Sequence, residues 1–328
     1  MSIKRIAVIG GGAWGTALAQ VAAAGGREAL LWAREEEVVE AINATHENPL
    51  FLAGIKLNPA IRATTNLDEV GECDALLVVT PAQHMRSVLE AAPRTTAPRV
   101  LCSKGIEEGS GELLHHVAAQ ASPGAPIAVL SGPTFAHEVA AGHPTAVTLA
   151  AEDPTVAEAL RSRLAAPTFR IYLSDDIAGA EIGGAVKNVL AIACGVVEGR
   201  GLGQNARAAL IARGFAEMTR FGLALGAQRE TMVGLSGLGD LVLTCSSTSS
   251  RNYSLGKGLG EGRSPTELMA DRRTVAEGAF TAPVLARLAR ERGIDMPIVE
   301  AVDRLLEGAT VDSVLEELLA RPARAEGL

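Results

Sequence analysis

Between Arg5 and Ser174 the chain alternates short, almost wholly apolar runs with longer stretches in which apolar residues recur at helical spacing. The apolar runs lie at Arg5–Gly10, Ala29–Ala33, Ile61–Thr64, Ala75–Thr80, Val100–Ser103, Ile127–Leu130, Ala146–Ala150 and Arg170–Leu173, and they predict strands. The stretch Ala75–Val79 has no polar member, as a parallel strand covered on both faces requires. Helices are predicted between the strands at Trp14–Ala24, Glu35–Ala44, Ala82–Ala92 and Thr155–Leu164. This alternation specifies an open, doubly wound α/β sheet. Beyond about Ser174 the strand pattern ends. Helices are predicted at Ile177–Glu198, Asn205–Leu225, Pro283–Glu291 and Pro297–Leu306, and Ser174 or Asp175 can cap the first. The expected organisation is a doubly wound α/β domain over residues 1–176 followed by an all-α C-terminal domain over 177–328.

The first predicted strand runs into Gly10-Gly11-Gly12-Ala13-Trp14-Gly15 and then an Ala-rich helix. Gly10, Gly12 and Gly15 form G-x-G-x-x-G, and each has its own job: the tight turn, the approach of bare backbone to a pyrophosphate, and close packing of helix on strand. The helix start offers unpaired N–H groups and a positive dipole end to phosphates. A glycine-rich turn can be purely structural, but strand before and helix after are the context of dinucleotide binding. The first domain is therefore expected to be Rossmann-type, with NAD(H) and/or NADP(H) as cofactor. The second strand ends at Arg34, where an acidic residue for the NAD ribose is usual. Arg34 suits a 2′-phosphate, stacking on adenine, or plain solvation, while Glu35 and Glu36 can still serve a ribose, so the choice of cofactor stays open.

Composition narrows the partners. A chain of 328 residues accommodates two domains. A net charge of −8 argues against a nucleic-acid surface, although a local site can still be positive. Cys73, Cys102, Cys194 and Cys245 are far apart and read as reduced, buried thiols of a cytoplasmic protein. No metal-ligand spacing is present, and no metal is expected. Neither a signal peptide nor a membrane-inserting segment is expected. Only five of the 30 basic residues are lysines, namely Lys4, Lys56, Lys104, Lys187 and Lys257. Each lysine is thus more informative than usual.

Ligands of open α/β sheets lie beyond the C-terminal strand ends. The fifth strand is followed by Ser103-Lys104-Gly105, and the sixth by Gly132-Pro133-Thr134-Phe135-Ala136. Lys104 is either a site residue or a surface charge; Gly132 permits close backbone approach and Thr134 offers a hydroxyl. In the helical half, Lys187 sits in a strongly apolar helix just after Gly183 and Gly184. Burying that ammonium is costly unless it has a purpose, the alternative being a lysine that snorkels at a helix edge. The glycines cost about 1 kcal/mol each in a helix relative to Ala and are tolerated where a backbone or ligand comes close. Ser250-Arg251-Asn252 opens a helix and suits a phosphate, or is a cap beside a surface Arg. Val275-Ala276-Glu277-Gly278 reads as a loop with one carboxylate.

Taken together these segments resemble the bacterial-type NAD(P)-dependent glycerol-3-phosphate dehydrogenases. The runs that carry the resemblance are Gly10-Gly-Gly-Ala-Trp-Gly-Thr-Ala, Ser103-Lys-Gly-Ile-Glu, Leu130-Ser-Gly-Pro-Thr-Phe-Ala, Ala185-Val-Lys-Asn-Val, Gly237-Leu-Gly-Asp-Leu and Ser250-Arg-Asn. They extend from residue 10 to about 278. Ala13 departs from the family, whose members often carry Ser there; backbone donors remain. The resemblance implies that Gly10, Gly12, Ala13, Trp14, Gly15, Arg34, Lys104, Ala136, Arg251, Val275 and Glu277 border the dinucleotide. It implies that Lys104, Gly132, Thr134, Lys187, Asn188, Asp240, Ser250, Arg251 and Asn252 serve the substrate, a small phosphorylated molecule. Lys187 is then the proton donor and acceptor, its pKa lowered by partial burial and by a cation such as Lys104, while Asp240 opposes that shift and holds the ammonium. The implied reaction interconverts dihydroxyacetone phosphate and sn-glycerol 3-phosphate, which supplies phospholipid synthesis. A homodimer is also expected.

Two other readings compete. A related dehydrogenase of hydroxy acids or pantoate-like substrates would share the glycine turn and a helical lysine, but Ser250-Arg251-Asn252 and Ser103-Lys104-Gly105 favour a phosphorylated substrate. A non-catalytic NAD(P) sensor would keep the glycines and have no need of Lys104 and Lys187.

Overall fold

A computed structural model of the chain describes residues 3–270 and 276–322. It forms two compact units, Met1–Ser103 with Leu114–Ile177, and Lys104–Leu113 with Ala178–Leu328.

The first unit contains β1 (Ile6–Ile9), α1 (Ala13–Ala22), β2 (Ala29–Trp32), α2 (Glu36–Thr45), β3 (Ile61–Thr64), β4 (Ala75–Val78), α3 (Met85–Ala91) and β5 (Arg99–Leu101). It continues through α4 (Leu114–Ala121), β6 (Ile127–Ser131), α5 (Ala136–Ala140), β7 (Thr145–Ala151), α6 (Pro154–Leu164) and β8 (Phe169–Ser174). The strands form one sheet in the order β3-β2-β1-β4-β5-β6-β7-β8. All four side chains of β1 are fully buried, and they serve two cores. Ile6 and Val8 pack with Leu18 of α1, whereas Ala7 and Ile9 pack with Leu30 and Leu76 on the opposite face. Alternate residues of a strand point to opposite faces, so a strand covered on both sides has no polar position, and that is why β1 and β4 read as unbroken apolar runs.

Strands β1 to β6 are parallel, as expected of a doubly wound sheet. β7 departs from this: it pairs antiparallel with β6, and β8 then runs parallel to β7. The connection from β6 to β7 holds only α5, a helix of five residues. A parallel return needs a full crossover, usually a longer helix. The chain order reverses between β1 and β4, which is the switch point where such sheets bind ligands.

Among the described residues, the regular structure of the second unit is helical apart from the short bridge between Ile106 and Leu113. Its helices are α7 (Ile177–Gly199), α8 (Gly203–Ala224), α9 (Arg229–Met232), α10 (Asp240–Thr244), α11 (Arg251–Gly260), α12 (Pro265–Leu268), α13 (Glu277–Glu291), α14 (Pro297–Leu306) and α15 (Val311–Leu319). The loop Lys104–Leu113 after β5 belongs to this unit because Ile106 and Leu113 are part of its core. Among the described residues α7 alone is long and apolar enough to cross a membrane, but 94% of its most apolar stretch is buried within the protein, so it is a core helix.

Glycines let α7 and α11 run side by side with their backbones in contact. A Cβ on Gly256 would lie 1.9 Å from the Ile192 carbonyl oxygen, one on Gly260 2.5 Å from that of Val196, and one on Gly195 2.1 Å from that of Tyr253. The pairs 256 with 192 and 260 with 196 share one offset, so the helices are parallel. The same offset sets Asn252 level with Asn188, and there the two side chains are hydrogen bonded. The helix pairing thus puts the Lys187 turn of α7 beside the start of α11. Gly256→Ala should therefore destabilise the protein by about 1–3 kcal/mol, the usual cost of overpacking, despite the ~1 kcal/mol helix-propensity gain of Ala over Gly. A lower urea midpoint with an unchanged slope checks this; an unchanged midpoint would show that the helices separate freely.

Candidate active site

At the C-terminal end of β1, Gly10 has φ +130°, and a Cβ there would lie 2.9 Å from the Val79 carbonyl oxygen. A Cβ on Gly15 would come within 1.8 Å of the Gly10 carbonyl oxygen. The turn and the close seating of α1 therefore both require glycine. Around Gly12 the space is open, with nothing within 4 Å of a built Cβ. Gly12 is the N-cap of α1 and gives it no side-chain cap, and no acidic residue occupies the first turn. The first N–H groups of a helix have no intrahelical partner, so an uncapped helix start facing open space is a cradle for an anion. At the same sheet edge the Thr80 hydroxyl is buried without a hydrogen-bond partner in the structure. These features fit a dinucleotide.

The other expected cofactor residues of this unit take varied positions. Ala13 and Trp14 form the first turn of α1. Arg34 follows β2 with its side chain 82% exposed, and it bonds Glu35 Oε1 at 3.1 Å. Ala136 is the first residue of α5, preceded by Phe135 as N-cap. Gly132 is buried at φ +149°, and the Thr134 hydroxyl donates to its carbonyl at 3.3 Å.

The helical unit gathers the charged residues. Gly183 lets α7 press on the wide turn Leu235–Gly239, since a Cβ there would meet the Ser236 carbonyl oxygen at 2.3 Å. That turn delivers Asp240, the first residue of α10, to Lys187 one helical turn beyond Gly183. Asp240 is fully buried. Its Oδ1 accepts from Lys187 Nζ and its Oδ2 accepts from Lys104 Nζ at 2.6 Å. Lys187 Nζ also donates to the Thr244 hydroxyl at 2.9 Å, and that hydroxyl donates to the Asp240 carbonyl at 2.6 Å. One carboxylate thus orients two ammonium groups. Burial pulls the Lys187 pKa down from its ordinary value to about 7, Asp240 opposes the fall, and Lys104 adds to it.

Beside this cluster, Ser250 caps α11 by accepting from the Tyr253 N–H at 3.2 Å, and Arg251 is exposed at the first helical position. Asn252 is buried and bonds Asn188, the neighbour of Lys187. Residues 187, 188, 250, 251 and 252 are therefore assembled by the pairing of two helices. Glu277 and Gly278 depart from expectation: they are the first turn of α13, not a loop. The turn is helical because Gly278 fits against α7, where a Cβ would lie 2.5 Å from the Asn188 carbonyl oxygen. Val275 lies outside the described residues. Thr244 was not anticipated, since a threonine in an apolar run carries no signal of its own; its spacing of four residues from Asp240 places both on one helix face.

A sheet with a phosphate-ready glycine turn at its switch point, joined in one chain to a helical unit with a buried lysine pair, defines a class of dinucleotide-dependent oxidoreductases. Family models describing the N-terminus and C-terminus of NAD-dependent glycerol-3-phosphate dehydrogenase match residues 5–157 and 176–316. The chain is 65% identical over 321 residues to glycerol-3-phosphate dehydrogenase (NAD(P)+) of Erythrobacter litoralis, covering 98% of this chain and 97% of that one. It is 66% identical over 325 residues to the enzyme of the same name from Novosphingobium aromaticivorans, covering 98% of each chain. Its fold matches the crystal structure of glycerol-3-phosphate dehydrogenase from Coxiella burnetii with a TM-score of 0.92 at 38% identity, over 97% of this chain and 99% of that one. The chain belongs to the NAD-dependent glycerol-3-phosphate dehydrogenase family.

Proposed function

We infer that this chain is an NAD(P)-dependent glycerol-3-phosphate dehydrogenase that interconverts dihydroxyacetone phosphate and sn-glycerol 3-phosphate. The observation that carries the mechanism is the buried Lys104–Asp240–Lys187 cluster, level with the start of α11. Nicotinamide, when bound, supplies or accepts the hydride. As the C2 carbonyl is reduced, negative charge grows on its oxygen, where the Lys187 ammonium stabilises it and donates the proton. In the oxidative direction the neutral Lys187 amine takes that proton back. Asp240 keeps the ammonium aimed, and Lys104 adds positive potential for substrate and cofactor. Ser250, Arg251 and the first turn of α11 receive the phosphate, with Asn188 and Asn252 beside them; Gly132 and Thr134 are assigned to the substrate in the sheet unit.

Gly10, Gly12, Ala13, Trp14, Gly15, Arg34 and Ala136 are assigned to the dinucleotide, together with Lys104, Arg251 and Glu277 of the helical unit. An exposed Arg34 beside Glu35 supports acceptance of both NADH and NADPH. Four buried free thiols support a reducing, cytoplasmic setting, where the product would feed phospholipid synthesis. Exposed Leu223, Val233 and Val242 on the helical unit support a homodimer.

Oxidation of NADH or NADPH on adding dihydroxyacetone phosphate tests the activity, and no turnover with either cofactor would refute it. Arg251→Ala should raise KM for dihydroxyacetone phosphate far more than for unphosphorylated dihydroxyacetone. Equal effects on the two substrates would remove the phosphate from Arg251.

A further inference from the structure

Helix α13 starts without a cap of its own: Ala276 at the N-cap position offers no side-chain acceptor. The N–H of its second residue, Gly278, donates instead to Asn252 Oδ1 at 2.8 Å. That N–H is the group an N-cap side chain ordinarily satisfies. The acceptor comes from α11, and its amide is fixed in turn, since Asn252 Nδ2 donates to Asn188 Oδ1 at 3.0 Å. Both asparagines are more than nine-tenths buried. Gly278 is wedged in place, because a Cβ there would lie 2.5 Å from the Asn188 carbonyl oxygen and 2.9 Å from Asn252 Oδ1. The carbonyl end of Asn252 is thus committed to a helix.

We propose that Asn252, anchored by Asn188, is a positioning residue that caps α13 from a distance and so ties the dinucleotide segment at Glu277 to the phosphate turn at Arg251. This deepens the reading given above and rests on it for the identity of the two ligands. One amide then sets two subsites: removing it loosens the hold on the cofactor even when no substrate is present. A residue that only touched phosphate would have no such effect.

The test is the NADH dissociation constant measured without substrate, together with amide hydrogen exchange over residues 276–282. Asn252→Ala should weaken NADH by roughly 3- to 30-fold, the range set by loss of one helix cap, and should speed exchange at Gly278. Asn252→Asp keeps the acceptor for Gly278, and the Asn188 amide can turn to donate to its second oxygen, so it should hold NADH within about twofold of the parent while raising KM for the phosphorylated substrate by charge repulsion. Asn188→Ala, which leaves the cap but frees its anchor, should shift NADH affinity in the same direction by less. If Asn252→Ala binds NADH like the parent, or leaves Gly278 exchange unchanged, the proposal is overturned. A parent protein that binds NADH but does not turn over dihydroxyacetone phosphate would instead refute the assigned reaction, and the NADH comparison would still decide the role of Asn252.

Discussion

Replacing Lys187 with alanine should lower kcat for dihydroxyacetone phosphate reduction by about 10²–10⁴-fold, the usual contribution of a positioned general acid. The change in KM should be small by comparison, because the phosphate is held by the α11 turn. Lys187 is the deeper of the two lysines, with 6% of its side chain exposed against 16% for Lys104. It also has the second partner, Thr244, that narrows its direction. Steady-state kinetics with both dihydroxyacetone phosphate and unphosphorylated dihydroxyacetone check the assignment, since loss of the proton donor slows both substrates alike. A Lys187→Ala protein that retains near-parental turnover would show that the proton comes from elsewhere.

Asp240→Asn should have the second-largest effect, and it should appear in stability as well as in rate. Breaking a buried ion pair by removing one partner typically costs about 3–5 kcal/mol, because the other charge stays behind without compensation. Here two ammonium groups share the one buried carboxylate. Asp240 raises the Lys187 pKa, so its loss must lower that pKa further below the ordinary lysine value. The folded state then binds fewer protons than the unfolded state over that interval, and stability rises with pH across it. The parent's Lys187 is itself deprotonated above about 7, so urea unfolding of Asp240→Asn against the parent should show a deficit that shrinks as pH rises toward about 7 and stays level above it. A deficit independent of pH would mean that Asp240 serves packing alone.

Much of the fold was legible because burial on both faces leaves a clear mark. The eight predicted strands all appear, with ends shifted by a residue or two. The reversal of β7 and β8 was not legible, since an apolar run reads alike in either direction; only the shortness of the β6–β7 connection points to it. The start of α13 was hidden for a different reason. The sequence puts Gly278 in a loop and starts the helix only at Pro283, yet Gly278 is there to admit the Asn188 carbonyl. Within the candidate site, residues whose chemistry clashes with their surroundings stood out: Lys187 in an apolar helix, Lys104 among few lysines, Arg251 behind a capping serine. Partners with ordinary surroundings did not. Thr244 and the commitment of the Asn252 amide to Gly278 depend on distances between helices, and no local pattern encodes those.

The reaction depends on a single group, a buried Lys187 ammonium whose proton affinity is lowered by burial and by Lys104. The most direct measurement is the pH dependence of kcat/KM for dihydroxyacetone phosphate reduction in the parent and in Lys104→Gln. Reduction needs the protonated amine, so the rate should fall as pH rises through a limb near 7 in the parent. With the neighbouring cation removed, that limb should move to higher pH. A limb at the ordinary lysine value in the parent, or one that stays fixed when Lys104 is neutralised, would contradict the assignment of Lys187 as the proton donor.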